Sequence, residues 1–199
     1  MAMKKILPLL LCCIHLCSFA QGDAYKDSLL VFRQRYISEH GVVKAAEQYR
    51  LQFFSINPAY QVPVRVQLIE EAPWFKMETS GPLKKTYRVY AVLHFTLHDT
   101  AVALQVYQSK DLMASAAYAD YLFIPFTDKT SGDESYDNGR YIDIRSGELN
   151  SPGFQLDFNK AYNPYCAYIT GVYNCPVPPK ENNLPLAIRA GEKKFAEAR

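Results

Sequence analysis

Three carboxylates in the last quarter of the chain, Asp157, Glu181 and Glu192, are the side chains best suited to general acid or base work, and Arg140 and Lys193 are cations able to hold an anionic group beside them. A single carboxyl moved out of water is enough for hydrolysis, because burial disfavours its charged form and brings its pKa toward the working pH. Around these stand groups that bind rather than react. Asn159, Asn163 and Asn182 each carry a donor and an acceptor on one amide, and Tyr165 offers a flat apolar ring with a polar tip. The set reads as a catalytic cleft or as a platform for a small molecule, a glycan or a peptide. A structural reading competes with both and is the stronger: Asp157, Asn159 and Asn182 cap turns and satisfy backbone groups that have no ladder partner.

Other chemistries find little support. The chain beyond residue 20 carries no nucleophile elbow, phosphate-binding glycine loop or paired metal-ligand motif, so no cofactor and no metal are expected. His94 and His98 share a strand face but stand about 13 Å apart at roughly 3.3 Å per residue, too far to chelate one ion. The acidic loop from Asp128 to Arg140 lacks the alternating oxygen ligands and terminal glutamate of a calcium loop, and reads as solvated charge. Nine-residue spacing between Cys166 and Cys175 gives thiol redox chemistry no support.

The candidates lie in a segment, residues 156–195, with five prolines, five asparagines and four tyrosines and almost no apolar period. Pro176, Pro178, Pro179 and Pro185 have no N–H to give a sheet, so side chains must order this stretch as a strap across a β-rich body. Elements upstream supply that body. Tyr25, Leu29, Phe32 and Tyr36 recur at helical spacing, with Gly41 as the cap, and a second short helix is expected from Val42 to Leu51. Period two follows: Val62, Val64, Val66 and Leu68 share one strand face, and Trp74 to Glu78 extends again. Tyr87 to Leu97 alternates throughout, and a two-residue turn at Asp99-Thr100 would set Leu97 across from Val102 and Phe95 across from Leu104. A helix over 110–119, a strand from Tyr121 to Phe126 and another from Tyr141 to Ile144, with Asp143 between two isoleucines, complete the pass.

The first twenty residues read as a secretory signal: Lys4 and Lys5, an apolar run from Ile6 to Leu16, then Ser18-Phe19-Ala20 as the cleavage site. As a helix, residues 6–20 span roughly 22 Å against a hydrocarbon core of about 30 Å, so no membrane span is expected. Removing twenty residues from 199 leaves 179, takes two of the 22 basic side chains, and brings the formal charge to zero against 20 acidic ones. A neutral chain without basic runs has no pull on nucleic acid. Cys166 and Cys175 then remain as an even pair in a protein bound for the periplasm or the extracellular space, where a disulfide is favoured over two buried thiols.

The blocks YLFIPFTDKTSGDESYDNGRYIDI, LDFNKAYNPYCAY and CPVPPKENNLPLAIRAGEKKF resemble successive signatures of a bacterial and archaeal family of unknown function, DUF1684, over about Leu51 to Phe195. The resemblance implies no agreed activity. It picks out Phe126, Asp128, Ser131, Gly132, Tyr136, Gly139, Arg140, Tyr141, Asp157, Asn159, Asn163, Cys166, Cys175, Pro176, Glu181, Asn182, Gly191, Glu192 and Lys193. Asp137-Asn138-Gly139 stands where the family more usually has a glycine run. The fold expected is α+β: N-terminal helices over 21–50 packed on a curled antiparallel β-sheet or partial barrel, with 51–199 a single β-rich domain closed by the Pro/Asn-rich strap.

Overall fold

The computed structural model describes residues 8–196, with side chains from residue 23 onward. The expected signal peptide therefore begins outside the described residues. The chain forms two compact units that divide between Glu39 and His40. The first holds one helix, α1 (Pro8–Ser38). Along its described part Leu29 is buried and Tyr25, Phe32 and Tyr36 are half-buried, the stripe that the helical spacing predicts. Among the described residues no helix is long and apolar enough to cross a membrane.

The second unit is built on strands β1 (Gln61–Pro63), β2 (Arg65–Leu68), β3 (Phe75–Met77), β4 (Lys85–Leu97), β5 (Thr100–Ser109), β6 (Tyr121–Phe126), β7 (Arg140–Arg145) and β8 (Gln155–Asp157), with short helices α2 (Lys110–Met113) and α3 (Ser146–Leu149). One sheet runs β2-β4-β5-β6-β7 with β3 also on β4, and β1 pairs with β8 apart from it. Every strand pairing is antiparallel. The sheet is not closed, its strand path running from β2 at one edge to β7 at the other.

Several local expectations also change. Val42 to Leu51 is not an α-helix but a 3-10 turn at Ala45–Arg50. The strand expected over 62–68 breaks after Pro63 into β1 and β2, which pair with different partners; Pro63 has no N–H for a continuing ladder. Val62 is buried as its pattern predicts, whereas Leu68 is exposed. Only Lys110–Met113 is helical in the stretch expected as a helix to 119, which ends early in turns. Gly41 does not cap α1 through a positive φ; a Cβ there would meet the Tyr165 hydroxyl at 2.8 Å, so the residue keeps space for that ring.

The β4–β5 turn is His98-Asp99, both at positive φ (48° and 59°) as a primed hairpin turn requires, rather than Asp99-Thr100. Leu97 therefore faces Thr100, and Phe95 faces Val102. The slip is two positions, so the apolar face survives. A bulge at Tyr90 has the opposite effect, because one extra residue reverses the parity of everything beyond it. Ala91, Leu93, Phe95 and Leu97 enter one core with Leu104, Leu122, Ile124, Ile142 and Phe158. Tyr87 joins Met77, Tyr107, Phe123 and Tyr141 on the other face instead of continuing the first.

Candidate functional site

Arg140 opens β7 opposite Phe126, on the same face as Ile142 and Ile144, so strand alternation drives its side chain into the larger core. A guanidinium there must be paired and hydrogen-bonded, since an isolated buried charge costs far more than folding supplies. It is wholly buried and donates to the Asp128 carboxylate at 2.8 Å, and to the carbonyls of Ile188 (2.8 Å), Ala190 (2.5 Å) and Glu192 (3.1 Å). Its Nε is left without a partner among the described residues. The rings of Phe126 and Phe54 lie 5.3 and 5.8 Å from its centre. Burial lowers its pKa and the Asp128 charge opposes that. Asp128 is completed by the Thr130 N–H and hydroxyl and the Ile188 N–H. The expectation of a solvated acidic loop is thus corrected at Asp128, which pairs with Arg140 and ties the chain at 188–192 to the start of β7. Glu134 and Asp137 do face solvent, paired with Arg189 and Lys194.

Asn182 solves a different problem. Pro125 sits in β6 where an N–H would be owed to β5, and the β5–β6 register is confined to Tyr107 and Phe123. The Asn182 amide, fully buried, accepts from the Gln105 N–H (2.8 Å) and donates to the carbonyls of Gln105 (2.9 Å) and Pro125 (2.7 Å). It replaces the missing rung. Asn159 repeats the device, accepting from the Asn57 N–H (3.0 Å) and donating to the Asn57 carbonyl (2.9 Å), with Asp157 accepting from both its N–H and its amide. Asn163 donates its side-chain amide to the Lys193 carbonyl.

Glu192 is wholly buried, and its carboxylate accepts from the Asn163 N–H (2.8 Å) and the Tyr168 hydroxyl (2.7 and 2.8 Å). Next to it, at φ +75°, a Cβ on Gly191 would stand 2.5 Å from the Ala161 carbonyl, so glycine alone permits this close passage. The Tyr168 ring meets His40 edge-on at 4.6 Å. His40 Nδ1 accepts from the N–H groups of Val42 and Val43, and burial lowers its pKa. Lys193 sets its ammonium 5.2 Å from the centre of Phe54, Glu181 is exposed, and the exposed Tyr165 ring packs on Tyr173. Cys166 and Cys175 lie at disulfide distance, 2.18 Å between sulfurs. His94 bonds Gln67 and His98 packs on Tyr60.

Of the candidate carboxylates, Asp157 lines a cleft of about 220 Å³ between the outer edge of β7 and β8, together with Asp143, Glu148, Ser151, Phe154, Gln155 and Lys160. Asp143 was legible only as a strand residue. Its carboxylate accepts from the hydroxyls of Tyr121 (2.7 Å) and Tyr162 (2.8 and 2.9 Å), its diagonal neighbours on either side. Lost hydration raises its pKa, against the pull of both phenols and of Arg145. The same surroundings raise the Tyr121 and Tyr162 phenols. An acid between two isoleucines in the expected strand Tyr141 to Ile144 is the sequence signal that marks this position.

These features define an α+β domain with a six-stranded open antiparallel sheet and a separate two-stranded one, braced by buried polar side chains from its C-terminal third. The chain belongs to the DUF1684 family, proteins of unknown function, whose family model matches residues 47–193. It is similar to the solution NMR structure of the uncharacterized protein from gene locus rrnAC0354 of Haloarcula marismortui, at 32% identity, covering 90% of this chain and 99% of that one, with a TM-score of 0.66. No curated protein matches the chain.

Proposed function

We propose that this protein is an exported ligand-binding domain, in which the C-terminal segment acts as a strap across the sheet and a small ligand enters at the seam between them. One observation carries the reading: the cleft between β7 and β8 sets the polar residues Asp143, Gln155, Asp157 and Lys160 beside the apolar residues Phe154 and Leu156, the mixture of groups that fixes and covers a small ligand. Arg140, Asn159, Asn163, Asn182 and Glu192 are spent on internal bonds and serve the scaffold rather than the ligand. Export is supported by the basic, apolar and small-residue pattern of residues 1–20, and by a cysteine pair at bonding distance.

A hydrolytic alternative has one observation in its favour, that Asp157 lines this cleft while Glu181 and Glu192 do not. Both readings are tested by a thermal-shift screen of the protein against sugars, amino acids, peptides, nucleotides and metal ions, repeated with Ser151→Trp, which fills the cleft from an exposed position. Binding here predicts a stabilising compound whose effect disappears in the filled variant. A screen without any hit, or hits indifferent to Ser151→Trp, would contradict the proposal.

A further inference from the structure

The ladder around Tyr141 determines what the edge of β7 offers. Tyr141 and Tyr162 exchange both backbone hydrogen bonds, at 2.9 and 3.0 Å, so the odd-numbered residues of β7 turn their N–H and C=O away from β6. Pro125 opposite Tyr141 fits that register, since no N–H is needed there. Along this outer edge Tyr141 is taken by Tyr162, and the Arg145 N–H is taken by the Glu148 carboxylate at 2.8 Å. Between them Asp143 directs one donor and one acceptor into the cleft, with no backbone partner among the described residues. The two phenols on its carboxylate hold the residue in place, so that this pair of groups is oriented in advance.

Resting on the binding reading above, we propose that the cleft takes a short extended peptide segment bearing a positive charge, which pairs its own N–H and C=O with those of Asp143. Three features select this class. A residue within a peptide chain is the group whose N–H and C=O match one open rung of an antiparallel ladder, the principle of strand addition. The residues lining the cleft include three acids, Asp143, Glu148 and Asp157, and one base, Lys160, an acidic balance that favours a cationic ligand. A volume of about 220 Å³ is below the roughly 300–1,000 Å³ of drug-sized pockets and suits a segment of one or two residues. Tyr141 on one side and the Arg145 N–H on the other are already taken, so a longer strand cannot pair fully here.

The test is a titration of the ¹⁵N-labelled full chain, followed by amide chemical shifts, with acetyl-Gly-Lys-Gly-amide, with the same tripeptide methylated on the lysine amide nitrogen, with acetyl-Gly-Glu-Gly-amide and with N-acetylglucosamine. The lysine peptide is expected to move the amides of Asp143 and of Gln155 to Asp157, the methylated one to bind about tenfold more weakly for want of one hydrogen bond, and the glutamate peptide to bind more weakly still. Equal affinity of the methylated peptide, or preference for the glutamate peptide, overturns the proposal. Shifts of the same amides by N-acetylglucosamine alone would overturn the peptide class while leaving a binding cleft. If no probe moves any cleft amide and the compound screen is also blank, both readings fall together.

Discussion

Arg140 and Asp128 form an ion pair of 2.8 Å with both side chains withdrawn from solvent, and each also binds the backbone of Ile188, one its carbonyl and the other its N–H. Two residues twelve positions apart therefore grip one residue of the C-terminal segment from both sides of its Cα. Replacing only one partner strands the other as a buried charge, which costs about 3–5 kcal/mol. Arg140→Met and Asp128→Leu are each expected to lose that much in urea unfolding, and the double variant to lose less than the two single losses added together. Additive losses would mean that the pair is not coupled.

Asn182→Ala removes the side chain that closes the gap left by Pro125, leaving an N–H and two carbonyls of β5 and β6 without their partner. At about 1–3 kcal/mol for a buried group left unsatisfied, the expected loss is on the order of 3 kcal/mol, beyond what its lost packing explains. Asn182→Asp keeps the acceptor, loses the donors and is expected to be no better. Unfolding curves of the two variants that overlay the parent would contradict this.

His40 is held neutral in the fold, because burial lowers its pKa and Nδ1 must accept two N–H bonds. The folded state then binds fewer protons than the unfolded one, so stability is present above the ordinary value of 6.5 and falls as the pH drops through the lowered folded value. Melting temperatures between pH 7.5 and 5 are expected to decline more steeply in the parent than in His40→Asn, which can accept but does not titrate.

Asp143 behaves in the opposite sense. Its pKa is raised above the ordinary 3.8, so its contribution is greatest below that value and is lost as the pH rises through the folded one. Asp143→Asn keeps an acceptor for Tyr121 and Tyr162; because Asp143 is an exposed residue of β7, only the pH slope is predicted, with the stability of the parent falling relative to the variant as the pH rises from 3 to 7. A parent whose stability instead rises relative to the variant over that range would show that the ionised form is the one the phenols favour.

Cys166→Ser should cost roughly 2.5 kcal/mol, the chain-entropy value for so small a loop. The Cys175 N–H and carbonyl bond Ser80, so the effect should reach the β3–β4 connection as faster amide exchange at Ser80. Unchanged stability under reducing conditions would count against a bonded pair.

Sequence legibility followed the range of the forces involved. The β4–β5 hairpin, β6 and β7 were visible because one buried face imposes alternation, and a turn misplaced by one residue left that face intact. The bulge at Tyr90 was not visible, since nothing in an alternating string marks an extra residue until its partner strand is known. Asn159 and Asn182 are recognisable as groups that satisfy backbone, but their partners at Asn57, Gln105 and Pro125 lie 57 to 102 residues away. Asp128 reads as solvated charge in the sequence for the same reason: its partner Arg140 meets it only in the fold. The β7–β8 cleft depends on two strand edges that no local pattern brings together.

Native-state hydrogen exchange tests most directly whether the C-terminal segment is one cooperative piece with the sheet. The amides of Gln105, Asn163 and Ile188 are bonded to the side chains of Asn182, Glu192 and Asp128, and should exchange with the same free energy as Leu93 and Leu104 in the core hairpin. Their exchange by local opening, several kcal/mol below those hairpin amides, would contradict the account.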